Sequence, residues 1–250
     1  MIPKPQTLGA YYQCHKNAAS FIRTVKSFKK FYPESDMVIT NDGGYDYEKF
    51  CNDNQIYYNY IEKIDTKLNA LLFNSPESCI IFLKNLFNNF QKMKETHVLL
   101  LEDDVRVLKT HTQPFLYSIN GCNKNAILPE YAIELLKKRG FQGPYFYGGC
   151  GGCVLDKQFF QSIDFKEIEQ LIYEIRHEKQ MFASDLLLSF ITLYFGGTIE
   201  QYDEFAETWY SDIHIRMNNH SIAFLHQYKT DYEKNGVFPT EEEKKELYFT

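Results

Sequence analysis

The 250 residues are 44% hydrophobic and 24% charged, the make-up of one folded globular domain and not of a disordered or fibrous chain. The net charge of -6 excludes a basic field for nonspecific nucleic-acid binding, so an anionic ligand needs a local cationic device. No run approaches transmembrane length, and Met1-Ile2-Pro3-Lys4-Pro5 lacks the apolar core of a signal peptide, so no membrane span and a cytoplasmic location are expected.

In chain order, Leu8 to Tyr12 reads as a first strand, and Asn17 can cap a helix from Ala18 to Phe31 with its apolar residues at helical spacing. Asp36 to Thr40 is a second strand, followed at once by Asn41-Asp42-Gly43-Gly44. This β-α-β opening predicts a doubly wound, mostly parallel central sheet flanked by helices. A short helix over Tyr45–Asn52 and a strand over Ile56–Tyr60 follow. Ser75-Pro76-Glu77 opens a long helix, with Pro in the first turn. Thr110 to Lys124 reads as loop, Pro129 to Lys138 as a helix closed by Gly140, and Tyr145 to Tyr147 as a strand. Helices are expected over Asp156–Ile163 and Asp164–Gln180, and from a cap at Ser184 or Asp185 through Phe195. Glu200 to Tyr210 is acidic and aromatic. Ser221 to Leu225 is a last strand, and the charged tail from Thr240 predicts a solvated helix.

The chemistry gathers at Val98-Leu99-Leu100-Leu101-Glu102-Asp103-Asp104-Val105. An apolar run of this kind is the signature of a strand buried on both faces, and ligand sites in open α/β sheets lie beyond the carboxyl ends of such strands. Three acids there repel one another unless a cation neutralises them, and oxygen ligands suit Mg²⁺ or Mn²⁺. A solvated acidic turn is the bland alternative. Cys150-Gly151-Gly152-Cys153 matches C-x-x-C without a second pair, and reads as small-residue packing before zinc or redox chemistry. The other cysteines are scattered, as reduced thiols are.

Four features fall in one order: the acids Glu102-Asp103-Asp104, the glycine loop Gly148-Gly149-Cys150-Gly151-Gly152, Ala183-Ser184-Asp185 opening a helix, and the late His226. This order resembles the nucleotide-sugar glycosyltransferases of GT-A fold, from about Leu8 to Lys229. The Leu-Glu-Asp-Asp-Val wording also looks like the family of lipopolysaccharide and collagen galactosyltransferases. The resemblance implies one GT-A-like domain over 1–250, with a nucleotide-binding half (1–107), an acceptor half (108–230) and a charged tail (231–250). It implies a metal-dependent enzyme moving a sugar from a nucleotide-sugar, a UDP-sugar, to a hydroxyl of a glycan or protein, with inversion favoured.

Residue by residue, the resemblance places metal and diphosphate binding chiefly on Asp104, with Glu102 or Asp103 touching ribose or metal, and completes the metal site with His226. His220 competes for that role, and a structural histidine is the alternative. Lys229 would hold the diphosphate. Asp42 would contact the nucleoside, or Asn41–Gly44 is only a β-turn. Tyr11, Gln13 and His15 would lie near the base. Gly149 and Gly151 would let backbone approach the sugars. Asp185 would be the general base, a role that overlaps with helix capping, and Ser184 departs from the usual acid before it. Trp209 and Tyr210 would stack on a sugar or pack in the core. An imidazole ligand favours Mn²⁺ over Mg²⁺. Two other readings stay open: a nucleotidyltransferase, against which the missing glycine- and lysine-rich N-terminal loop argues, and a catalytically dead nucleotide- or sugar-binding module.

Overall fold

A computed structural model describes residues 6–61, 75–177, 184–207, 220–226 and 240–248. The expected β-α-β opening is there as β1 (Leu8–Cys14), α1 (Ala18–Phe31) and β2 (Met37–Asn41), followed by α2 (Glu48–Asp53) and β3 (Tyr57–Tyr60). Asn17 caps α1 by accepting from the Ser20 N–H, which satisfies one of the orphan amides of the first turn. Ser75 does the same for α3 (Pro76–Phe90), which leads into β4 (His97–Leu101). All seven residues of β1 and all five of β2 and of β4 are buried, because helices cover both faces. Phe21 of α1 stacks on Tyr12 on one face. On the other face Asn89 of α3 donates to Thr40 Oγ1.

The second half of the chain is β5 (Arg106–Val107), β6 (Ile119–Asn120), β7 (Cys122–Ile127), α4 (Glu130–Lys138), β8 (Phe146–Gly148) and β9 (Val154–Asp156). After them come α5 (Lys157–Ser162), α6 (Phe165–His177), α7 (Ser184–Tyr194), β10 (Ile199–Glu200), β11 (Phe205–Glu207), β12 (Phe224–His226) and α8 (Glu241–Glu246). The seven-stranded sheet has the order β10-β6-β9-β4-β1-β2-β3. Strands β4, β1, β2 and β3 are parallel, and β9 runs antiparallel to both β4 and β6. The mostly parallel α/β sheet is as the sequence predicts. Its order reverses between β1 and β4, and a ligand crevice is expected outside the carboxyl ends of those two strands.

Two expectations need correction, and two other stretches gain structure that the sequence left open. The stretch over Thr110–Lys124 is not all loop: it holds β6 and the start of β7. Two-residue β6 has no readable alternation of its own, since its pairing comes from β9 and β10, later in the chain. The acidic-aromatic stretch from Glu200 contains β11, which pairs in parallel with β12. The last strand is Phe224–His226, not Ser221–Leu225, so His226 is inside it. The tail helix is also anchored: Glu243 of α8 accepts from Arg23 Nε and Nη2 at 2.7 and 3.0 Å, and Lys26 pairs with Glu246. The residues 62–74, like those about Trp209, Tyr210 and Lys229, lie outside the described residues.

Candidate functional site

The turn 102–105 leaves β4 at the sheet's switch point and runs into β5. Strand β5 is antiparallel to β12, which is parallel to β11, in a separate three-stranded sheet. That small sheet carries His226 back to the acids, and its register sets His226 beside Glu207. His226 Nε2 lies 3.5 Å from Glu102 Oε2 and 3.5 Å from Asp104 Oδ1. One ligand atom from each of Glu102, Asp104 and His226 falls within 4.8 Å of the others. The acids and the late histidine thus meet, with the hard oxygens and imidazole nitrogen that Mn²⁺ or Mg²⁺ accepts. Exposed His220 belongs to neither ligand group found among the described residues.

The turn is held from behind by a buried cation. Arg106 Nη1 donates to Thr24 Oγ1 at 2.7 Å, to the Val105 carbonyl at 2.6 Å and to the Asp103 carbonyl at 3.2 Å. Asp103 is not part of that group. It accepts from the Tyr12 hydroxyl. Part of its surface stays accessible, yet burial among protein atoms pushes its carboxyl up to about 7, against the hydrogen bond from Tyr12 and with the charges of Asp104 and Glu102. Burial alone would depress the His226 imidazole. Cys150 and the carboxylates of Glu102 and Glu207 outweigh it and hold the ring well above its usual pKa.

The glycine loop between β8 and β9 packs onto the turn. The Gly151 N–H donates to Glu102 Oε1 at 2.8 Å. A Cβ at Gly151 would come within 2.7 Å of Val105 and 3.0 Å of Glu102, so any side chain there would displace the acids. Gly149 has φ +78, and a Cβ would meet Leu188 of α7 at 2.9 Å, so it permits both the turn and the close approach of α7. Cys150 and Cys153 are buried with Sγ atoms 3.6 Å apart. The contact with Cys153, together with burial, pushes the Cys150 thiol well above its ordinary value.

Helix α7 begins at Ser184, so Asp185 sits inside the first turn and not at the cap. Its Oδ1 accepts from the Leu186 N–H at 2.8 Å, and Tyr147 donates to Oδ2. Burial pushes its pKa up to about 6, with the Glu102 charge adding to the rise and His226 opposing it. The glycine loop touches both groups: a Cβ at Gly149 would lie 3.4 Å from the Asp185 carbonyl and one at Gly151 3.0 Å from Glu102. A carboxylate with a pKa near 6 is ionised at neutral pH and still basic enough to take a proton.

The nucleoside candidates fall into two groups. Asp42 follows β2, is buried, and accepts from His15 Nδ1 at 2.6 Å; burial raises its pKa against the pull of His15. Gln13 Nε2 and Asp42 Oδ2 are buried without hydrogen-bond partners. Tyr11, by contrast, is in the middle of β1, 2% exposed, with its hydroxyl donating to Gln13 Oε1 at 3.3 Å. It faces the core beneath Gln13. Tyr12, its neighbour on the opposite face, is the tyrosine that reaches the acids.

Sequence reasoning missed Tyr12, Arg106, Tyr147 and Glu207. Tyr147 was legible as a neighbour of the glycine loop. Glu207 was not, because only the β11–β12 register brings it to His226.

The sequence matches no protein-family model and no curated protein. Solved structures resemble it in fold. The galactosyltransferase LgtC, crystallised with donor and acceptor sugar analogues, superposes with a TM-score of 0.58 at 11% identity over 96% of this chain and 95% of LgtC. An active-site variant of LgtC gives 0.57 at 13% identity over 96% and 95%. The bifunctional glycosyltransferase WbbM gives 0.56 at 10% identity, over 99% of this chain and 52% of WbbM. At these identities the likeness establishes a GT-A-like α/β fold, with a group of side chains able to bind a metal. Among the described residues no helix is long and apolar enough to cross a membrane.

Proposed function

We propose that the chain is a divalent-cation-dependent glycosyltransferase that moves a sugar from a UDP-sugar to a hydroxyl of a glycan or protein acceptor. The observation that carries this reading is the convergence of Glu102, Asp104 and His226 at the switch point of a GT-A-like sheet. Those three residues would hold Mn²⁺ or Mg²⁺, which when bound supplies Lewis-acid stabilisation to a diphosphate leaving group. The Gly151 amide fixes one oxygen of Glu102, which leaves the other turned to His226. Arg106 keeps the turn from spreading under its own negative charge.

In this reading Asp42 and Gln13 recognise the nucleoside, because both carry buried polar atoms without partners. Asp103, steadied by Tyr12, contacts ribose. Tyr11 supports Gln13 from below. Gly149 and Gly151 allow the loop backbone to approach the donor sugar, and Lys229 assists at the diphosphate. Asp185 removes the proton of the acceptor hydroxyl, with Tyr147 and the Leu186 amide orienting its carboxylate. A carboxylate base positioned this way favours inversion.

The test is a screen of nucleotide-sugars for release of UDP in Mn²⁺, Mg²⁺ and EDTA, with the anomeric configuration of the product read by NMR. The reading requires metal-dependent turnover with one donor class and an inverted product. Turnover unaffected by EDTA would remove the cation, and a retained configuration would remove Asp185 as base.

A further inference from the structure

His226 has two ring nitrogens, and the proposed catalytic cation accounts for only one. We propose that Cys150, Glu207 and His226 form a second cation site, of thiolate character, that takes Zn²⁺. Cys150 Sγ, a carboxylate oxygen of Glu207 and a ring nitrogen of His226 lie within 4.8 Å of one another. His226 Nδ1 faces Glu207 Oε1 at 3.6 Å, on the side opposite Glu102 and Asp104. That nitrogen is buried in a side chain 7% exposed and has no hydrogen-bond partner. A buried polar atom left unsatisfied is costly, and once its proton leaves, that nitrogen can take a cation as its partner.

The spacing suits zinc. Tetrahedral bonds of about 2.0–2.3 Å set ligand atoms roughly 3.3–3.8 Å apart, close to the separation of Nδ1 and Oε1. Sulfur, nitrogen and oxygen together select a borderline-soft ion over Mg²⁺. Three protein ligands leave a fourth position open. The ligands are also held by backbone: Glu207 and His226 are register partners in β11 and β12, and Cys150 precedes the amide that Glu102 pins. Cys153 is not part of the set. Its thiol donates to the Gly121 carbonyl at 3.0 Å. The C-x-x-C spelling therefore contributes one ligand, and its partners come from distant strands. A neutral imidazole offers one lone pair, so zinc on Nδ1 leaves the proton on Nε2 and competes with a cation held through Glu102 and Asp104. The proposal does not depend on glycosyl transfer.

X-ray absorption at the zinc edge, on the wild-type chain loaded with one equivalent of Zn²⁺, tests it. One sulfur in a shell otherwise of nitrogen and oxygen is expected; no sulfur, or two, overturns the site. Titration with Co²⁺ assigns the sulfur. A thiolate-to-cobalt charge-transfer band should saturate at one equivalent, vanish in Cys150→Ala, and persist in Cys153→Ala and Asp104→Asn. A band that survives in folded Cys150→Ala, or is lost in folded Cys153→Ala, overturns it. If the variants do not fold, the wild-type zinc spectrum decides alone. UDP binding in Mn²⁺ is measured separately, so a failure there leaves the zinc result standing, and the converse holds.

Discussion

Glu204 and Glu207 stand at the two ends of one short stretch and do opposite jobs. Glu204 accepts from Lys109 Nζ, the Thr112 N–H and hydroxyl, the Gln113 N–H and the Tyr202 hydroxyl, at 2.7 to 3.1 Å. These donors overcome its burial and pull its pKa down to about 2. Glu207, with Glu102 and Asp104, is gathered instead around one imidazole. A carboxylate ringed by donors fastens a loop. Carboxylates that share one histidine form a group able to bind a cation. Burial alone does not separate the two jobs; the convergence of three acids on one imidazole does.

The sharpest way to break this comparison acts on the chemistry. Asp185→Asn keeps shape and can still accept from the Leu186 N–H, but removes basicity. General-base catalysis supplies ~10²–10⁴-fold, so turnover should fall by that order while UDP affinity, read by calorimetry, stays unchanged. Near-normal turnover would take Asp185 out of the reaction.

Glu204→Gln should cost stability and leave cation binding alone. The folded pKa of about 2 lies below the ordinary 4.5, a difference on the order of 3 kcal/mol. For a chain of this size that is roughly 6–12 °C in Tm. The sign follows from the depressed pKa: the contribution is complete above pH 4.5 and disappears as pH falls towards 2. The gap in Tm between wild type and variant should narrow over that window. A constant gap would mean that lost packing, not charge, is responsible.

Asp104→Asn and Glu102→Gln should behave in the reverse way. Mn²⁺-dependent UDP affinity should fall at least about tenfold, as losses around metal sites do, and Tm without metal should fall far less than in Glu204→Gln, because relieved repulsion within the turn offsets the lost pairing with His226. A Tm as low as that of Glu204→Gln, with intact Mn²⁺ dependence, would make these acids structural, like Glu204.

The smallest effect is again at Asp185, on stability. Its folded pKa of about 6 lies above the ordinary 3.8, so burial penalises the charged form, and stability falls as pH rises from 3.8 to 6. Asp185→Asn should therefore melt at or slightly above wild type at pH 8, with the margin gone by pH 4. A variant that melts lower at pH 8 would show that Tyr147 needs the carboxylate.

The strands with long apolar runs and the helices with caps were legible in the sequence, because burial on both faces and the Asn17 and Ser75 caps act locally. The short strands β6, β10 and β11 were not, since two or three residues carry no period and their partners arrive much later. The same division runs through the site. Glu102, Asp104 and His226 could be named from motif order, and the structure brings them together. Tyr11, expected near the base, is buried beneath Gln13, while Tyr12 reaches Asp103 from the opposite face; adjacent residues on a strand face opposite ways, and the sequence does not mark which face is which. Glu207 and Arg106 depend on the β11–β12–β5 pairing, which leaves no spelling to read.

The central claim is that the acids after β4 and the histidine of β12 form one cation-dependent nucleotide site. Calorimetric titration of UDP into the wild-type chain, in Mn²⁺ and then in EDTA, tests it most directly. The account predicts saturable binding in Mn²⁺ that weakens at least about tenfold in EDTA, a difference of roughly 1.4 kcal/mol or more. Equal affinity in the two conditions, or no binding in either, would contradict it.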